Sequence, residues 1–100
     1  MKTYKLVRDK IPEYIKNKGG APITHVANDA EYWEKLKEKL FEETSEFNKE
    51  ESAEELADVL EVIEAILAYK GFSKEEIESV KNKKAEERGK FNKRIILDES

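Results

Sequence analysis

Leu40-Phe41-Glu42-Glu43-Thr44-Ser45-Glu46-Phe47 and, after a short interval, Glu54-Glu55-Leu56-Ala57-Asp58-Val59-Leu60 decide how this chain is read. Both stretches mix acidic and apolar residues at a helical period, about 100° per residue. On the helix that carries the first stretch, Glu43 falls in the middle of the arc made by Tyr32, Trp33, Leu36, Leu40 and Phe47, and Glu46 lies at its edge. Glu34, Glu38, Glu42 and Ser45 point away. On the second helix, Glu55 and Asp58 fall within the arc of Val59, Val62, Ile66 and Tyr69, while Glu54, Glu61 and Glu64 form the polar back. Each helix therefore offers a carboxylate pair at i and i+3 on the face expected to meet the core.

Working outward, helix punctuation divides the rest of the chain. Asn28 with Glu31, Ser52 with Glu55, and Ser73 with Glu76 each have capping-box spacing and open three long helices. The first runs through Trp33, Leu36, Leu40 and Phe47, the second ends at Gly71 and the third ends near Gly89. Ahead of them, Pro12 suits the first turn of a short helix reaching about Lys18 and stopped by Gly19-Gly20. Residues 21–28 read as a loop or short extended piece. The tail 91–97, with Ile95-Ile96-Leu97, reads as a short strand or an arm packed on the helices beside residues 4–7.

No internal repeat, low-complexity run or long linker interrupts this order, and 100 residues allow one small core, so residues 1–100 form a single domain. Three long helices with short connectors predict an all-α antiparallel bundle. Leu56, Val59, Leu60, Val62, Ile63, Ile66 and Leu67 cover more than half the circumference of their helix. A monomer of this size has too little interior to bury all of them, so a homodimer or larger homo-oligomer is expected to complete the bundle.

Composition narrows the function classes. The chain has 42% charged residues, a net charge of −4 and no cysteine, which excludes disulfide scaffolds, thiolate metal sites and cysteine nucleophiles. A slight acidic excess gives no attraction to a nucleic-acid polymer. Apolar runs are far shorter than the ~20 residues a membrane span needs, and Met1-Lys2-Thr3-Tyr4-Lys5 opens no signal peptide, so a cytoplasmic location is expected. His25 is the single histidine, which disfavours a Glu-x-x-His di-iron site, and no glycine-rich phosphate loop is present.

Carboxylates on an apolar face cost several kcal/mol, roughly, unless something positive compensates them. Lys39, Arg8 or other cations can do so by ion pairing, and Glu-x-x-Glu spacing arises easily by chance in so charged a chain. Two matched pairs on successive helices point instead to a shared ion. Four oxygen ligands suit Mg²⁺ or Mn²⁺.

The two acidic stretches resemble the E-x-x-E and E-x-x-D signature of the all-α nucleoside triphosphate pyrophosphohydrolases, the MazG-like superfamily, which also includes phosphoribosyl-ATP pyrophosphohydrolases and dimeric dUTPases. Leu6-Val7-Arg8-Asp9-Lys10-Ile11-Pro12 and the segment from Lys84 to Arg88-Gly89-Lys90-Phe91 resemble a MazG-like branch of house-cleaning enzymes for non-standard nucleotides. By this resemblance Glu43, Glu46, Glu55 and Asp58 would be catalytic and would ligate Mg²⁺, with Mn²⁺ as a substitute. The reaction would be hydrolysis of a nucleoside triphosphate to its monophosphate and pyrophosphate. The interval 47–54 is shorter than in many members of the superfamily. A triphosphate also needs cations: Lys81, Lys84 and Arg88 share a helix face at i, i+3 and i+7, and Arg8 and Lys10 are supported by the resemblance. Trp33 is a candidate to stack on a base or to pack in the core. A phosphoribosyl-ATP pyrophosphohydrolase and a non-enzymatic helical interaction module are the competing readings.

Overall fold

A computed structural model describes residues 4–99. Among them are four helices, α1 (Ile11–Asn17), α2 (Asp29–Lys49), α3 (Ala53–Lys70) and α4 (Lys74–Arg88), and no strand, so the fold is all-α. The capping residues set the boundaries. The side chains of Asn28, Ser52 and Ser73 accept from the backbone N–H of Glu31, Glu55 and Glu76 at 2.9, 3.2 and 3.0 Å, satisfying donors that the first turn leaves free. Pro12 sits in the first turn of α1. Gly71 ends α3 at φ 75°, a left-handed conformation in which its own N–H and that of Phe72 reach back to the carbonyls of Ala68 and Leu67.

α2 and α3 are joined by the tight turn 50–52 and pack side by side as an antiparallel hairpin. Leu36 from α2 and Val59 and Val62 from α3 are its buried centre. At the end away from the turn, Tyr69 stacks on Trp33 at 5.3 Å, meets Tyr32 edge-on at 5.6 Å and donates its hydroxyl to the Asp29 carbonyl at 3.3 Å. These contacts fix the register of the two helices. As a consequence the acidic stretches, both near the turn, face each other.

The expected bundle of three long helices is not closed within one chain. α4 forms no interface comparable to that between α2 and α3, and its Ile77 and Val80 are exposed. The reason is compositional: KEEIESVKNKKAEER has too few apolar residues to form a stripe. The tail also departs from expectation, since 91–97 is neither a strand nor packed, and Phe91, Ile95, Ile96 and Leu97 are exposed. Residues 4–8 lie instead against the hairpin, tied by Lys35 to the Tyr4 carbonyl, by Lys5 to Glu42 and by Arg8 to Asp58. No helix among the described residues is long and apolar enough to cross a membrane.

An open arrangement leaves much surface uncovered. The accessible area is 9308 Å², against about 5,800 Å² for a compact chain of 11.6 kDa. The radius of gyration, 17.7 Å, exceeds the ~13 Å of a compact domain of this length. Part of the excess lies on α3, where Leu56, Leu60 and Ile63 are exposed although Val59 and Val62 are buried.

Candidate functional site

The hairpin register brings one carboxylate oxygen each of Glu43, Glu55 and Asp58 within 4.8 Å of one another. All three side chains are partly buried. Glu46, expected as the fourth member, is exposed and outside this cluster, although its charge is still felt at Glu55. Its place at the edge of the apolar arc explains why it turns to solvent.

Cations stand beside the cluster. Lys39 Nζ lies 3.3 Å from Glu43 and 3.5 Å from Glu42, and the Lys39 and Glu43 side chains are only 16% and 12% exposed. Arg8 Nη2 donates to Asp58 Oδ1 at 2.7 Å, and its Nη1 is 3.6 Å from Glu61. Glu42, expected to point away, is instead half-covered: burial would raise its pKa, but the hydrogen bond from Lys5 and the charges of Lys39 and Lys5 outweigh this and hold it below the ordinary carboxylate value.

Glu55 differs from its neighbours, because no ion pair or hydrogen bond to its carboxylate forms among the described residues. Desolvation, followed by the like charges of Asp58, Glu50, Glu46 and Glu43, pushes its pKa above the ordinary value. A carboxyl whose pKa is raised by folding helps stability while it is protonated. That help is present below its unfolded pKa and is lost as pH rises through the folded one. In metal-free buffer Glu55→Gln is therefore expected to raise the midpoint of thermal unfolding at pH 7, with the difference from wild type closing as pH falls below the carboxylate range. An equal or lower midpoint at pH 7 would show that repulsion at Glu55 does not exceed the favourable interaction of its charge with the N-terminus of α3.

A cleft of about 470 Å³ opens against the cluster. Asp9, Glu43, Asp58 and Glu61 supply its acidic groups and Arg8, Lys10 and Lys39 its basic ones. Tyr32, Leu36, Val62 and Ala65 contribute apolar wall, so one hollow offers anionic, cationic and apolar surfaces together. Of the expected phosphate-binding residues, Arg8 and Lys10 line this cleft. Lys81, Lys84 and Arg88 do not: α4 stands off the hairpin, Lys81 pairs with Glu78 at 3.3 Å, and Arg88 borders a separate hollow with Lys90, Phe91 and Arg94. Trp33 is also absent from the cleft. It is held by its stack on Tyr69 and by Lys70, whose ammonium lies 4.2 Å from the ring centroid.

Asp9, Tyr32 and Glu61 line the cleft, and the sequence alone assigns none of them a role in the site. Tyr32 was visible as a member of the same arc as Glu43, next to the residue chosen for stacking. Glu61 continues the i, i+3 series from Glu55 and Asp58 by one more turn, which is the signal that could have found it.

No family model and no solved structure matches the chain. An uncharacterized protein of Mycolicibacterium smegmatis is 49% identical to it over 41 residues, covering 41% of this chain and 42% of that protein. The chain thus matches well under half the length of this relative, whose name assigns no activity.

Proposed function

We propose that the chain is a Mg²⁺-dependent nucleoside triphosphate pyrophosphohydrolase acting on non-standard nucleotides, with Mn²⁺ able to replace Mg²⁺. The observation that carries this reading is the convergence of Glu43, Glu55 and Asp58 from two helices, with Glu43 and Asp58 lining a cleft that also holds Arg8, Lys10 and Lys39. The donor set fits a hard divalent cation: three carboxylate oxygens lie close together, and Glu55 carries a like-charge repulsion that such an ion relieves. When bound, the ion would neutralise triphosphate charge and activate water.

The chain's own residues divide the remaining work. Arg8, Lys10 and Lys39 supply positive charge to phosphate oxygens, and Tyr32 with Leu6 and Ala65 offers apolar surface to the nucleoside. Glu43, Glu55 and Asp58 would hold the ion. Water adds to the α-phosphorus and gives up a proton to solvent, the α–β anhydride bond breaks, and pyrophosphate leaves with that bond's electron pair. In this reading the enzyme serves to cleanse the nucleotide pool in the cytoplasm and works as a homodimer or larger homo-oligomer. The surface excess of several thousand Å² and the exposed stripe on α3 support assembly, because stable homodimers bury areas of that order.

The competing reading, a non-enzymatic helical interaction module, is favoured by one observation: Lys39 and Arg8 already neutralise Glu43 and Asp58. Pyrophosphate release from a panel of standard and modified nucleoside triphosphates and phosphoribosyl-ATP, with Mg²⁺, Mn²⁺ or EDTA, separates the two. Release that depends on metal is expected. Silence throughout, combined with a melting point that neither ion changes, would favour the module; release from phosphoribosyl-ATP alone would move the assignment to that substrate.

A further inference from the structure

We infer that Arg8 is an exchangeable counter-ion, occupying Asp58 while the divalent cation is absent and turning to phosphate in the same cleft once the cation arrives. The inference rests on the metal-dependent reading above. It starts from a shared feature of the two ion pairs beside the cluster. Lys39 joins Glu43, inside the cluster, to Glu42, outside it. Arg8 likewise joins Asp58, inside, to Glu61, outside. If an ion draws Glu43 and Asp58 together, each basic residue still has a carboxylate to hold, so no covered charge is stranded.

The two cations are not equally free to move. Lys39 is mostly covered and has both acids on its own helix one turn away, so it is held in place. Arg8 is more than half exposed and comes from the irregular segment ahead of α1. Its backbone is anchored, since its carbonyl accepts the Ile11 N–H at 3.0 Å, but its side chain reaches across to α3 alone. The guanidinium is also spread over two acids a turn apart and makes a close contact only with Asp58, so it lacks the paired-fork geometry of a strong arginine–carboxylate contact. Ion pairs this exposed contribute little and break easily. Arg8 and Lys10 line the same cleft as the acids, which puts the released guanidinium beside any phosphate held there.

Exchange predicts effects of opposite sign for one substitution. Titration calorimetry with Mn²⁺ alone should show Arg8→Gln binding the ion about fivefold more tightly than wild type, the scale set by losing one exposed ion pair that competes with it. With Mn²⁺ saturating, inorganic tripolyphosphate should bind Arg8→Gln about tenfold more weakly, through the missing charge-assisted hydrogen bonds. Lys16→Gln, an exposed α1 lysine outside the cleft, removes the same charge and should move neither value beyond twofold, roughly. If wild type binds Mn²⁺ and Arg8→Gln gains no more affinity than Lys16→Gln, or keeps its tripolyphosphate binding, the exchange is overturned and the metal reading stands. If wild type binds no Mn²⁺, both fall together.

Discussion

Asp58→Asn is expected to lower metal-dependent pyrophosphate release by about 10³-fold in kcat/KM, because loss of one charged ligand removes several kcal/mol of stabilisation from the ion and the transition state. Asparagine keeps the size of aspartate, and the position is partly exposed, so the hairpin core of Leu36, Val59 and Val62 is left intact. The substitution removes the charge shared by the cluster and by Arg8. Glu46→Gln is the informative comparison. Its side chain is exposed and outside the cluster, so the geometry predicts a loss of about tenfold, the scale of a residue that acts from beside the ligands. Equal losses at both positions would restore Glu46 as a fourth ligand. Full activity in Asp58→Asn would remove the cluster from the reaction.

That comparison also marks how far local sequence pattern reaches. The three capping boxes predicted the starts of α2, α3 and α4, since the interactions that make them span three residues and owe nothing to distant contacts. The meeting of Glu43 with Glu55 and Asp58 was legible for a related reason: a tight turn between two amphipathic helices leaves few registers, and the apolar arcs choose among them. Glu46, which the pattern puts at the edge of its arc, is exposed and outside the cluster, because a residue at such an edge needs only a slight turn of the helix to reach water.

What sequence could not place depended on contacts between elements far apart in the chain. The spacing of Lys81, Lys84 and Arg88 fixes a shared helix face but not where α4 lies, and α4 has too few apolar residues to dictate a docking site. Trp33 and Tyr32 are adjacent and both belong to the apolar arc. Tyr69, more than thirty residues away, contacts both rings, stacking on Trp33 and meeting Tyr32 edge-on, and only Tyr32 lines the cleft. Arg8 and Lys39 were visible as possible partners of the acids; that each also holds an acid outside the cluster needed the folded geometry.

Leu60→Glu is expected to abolish the self-association proposed above. Leu56, Leu60 and Ile63, at i, i+4 and i+7, form a continuous stripe on α3 and are 47%, 58% and 38% exposed. Such a stripe is where the sequence and the surface excess agree, because α3 is apolar around most of its circumference and α2 covers only one side. A second copy is the occupant best matched to it: an isologous contact would set one α3 stripe against another, and α2 and α3 of two chains would make the four-helix arrangement that one chain leaves half-built. In that contact every substitution counts twice. Two leucines each worth about 2 kcal/mol when buried, replaced by two like charges near a twofold axis, raise the dissociation constant by at least about 10³-fold. Sedimentation velocity across a concentration series reads this directly, and circular dichroism checks that the monomer keeps its helices. A wild-type chain that sediments as a monomer throughout, or a Leu60→Glu variant that assembles as wild type does, would assign the stripe to some other partner and leave the cleft to work within a single hairpin.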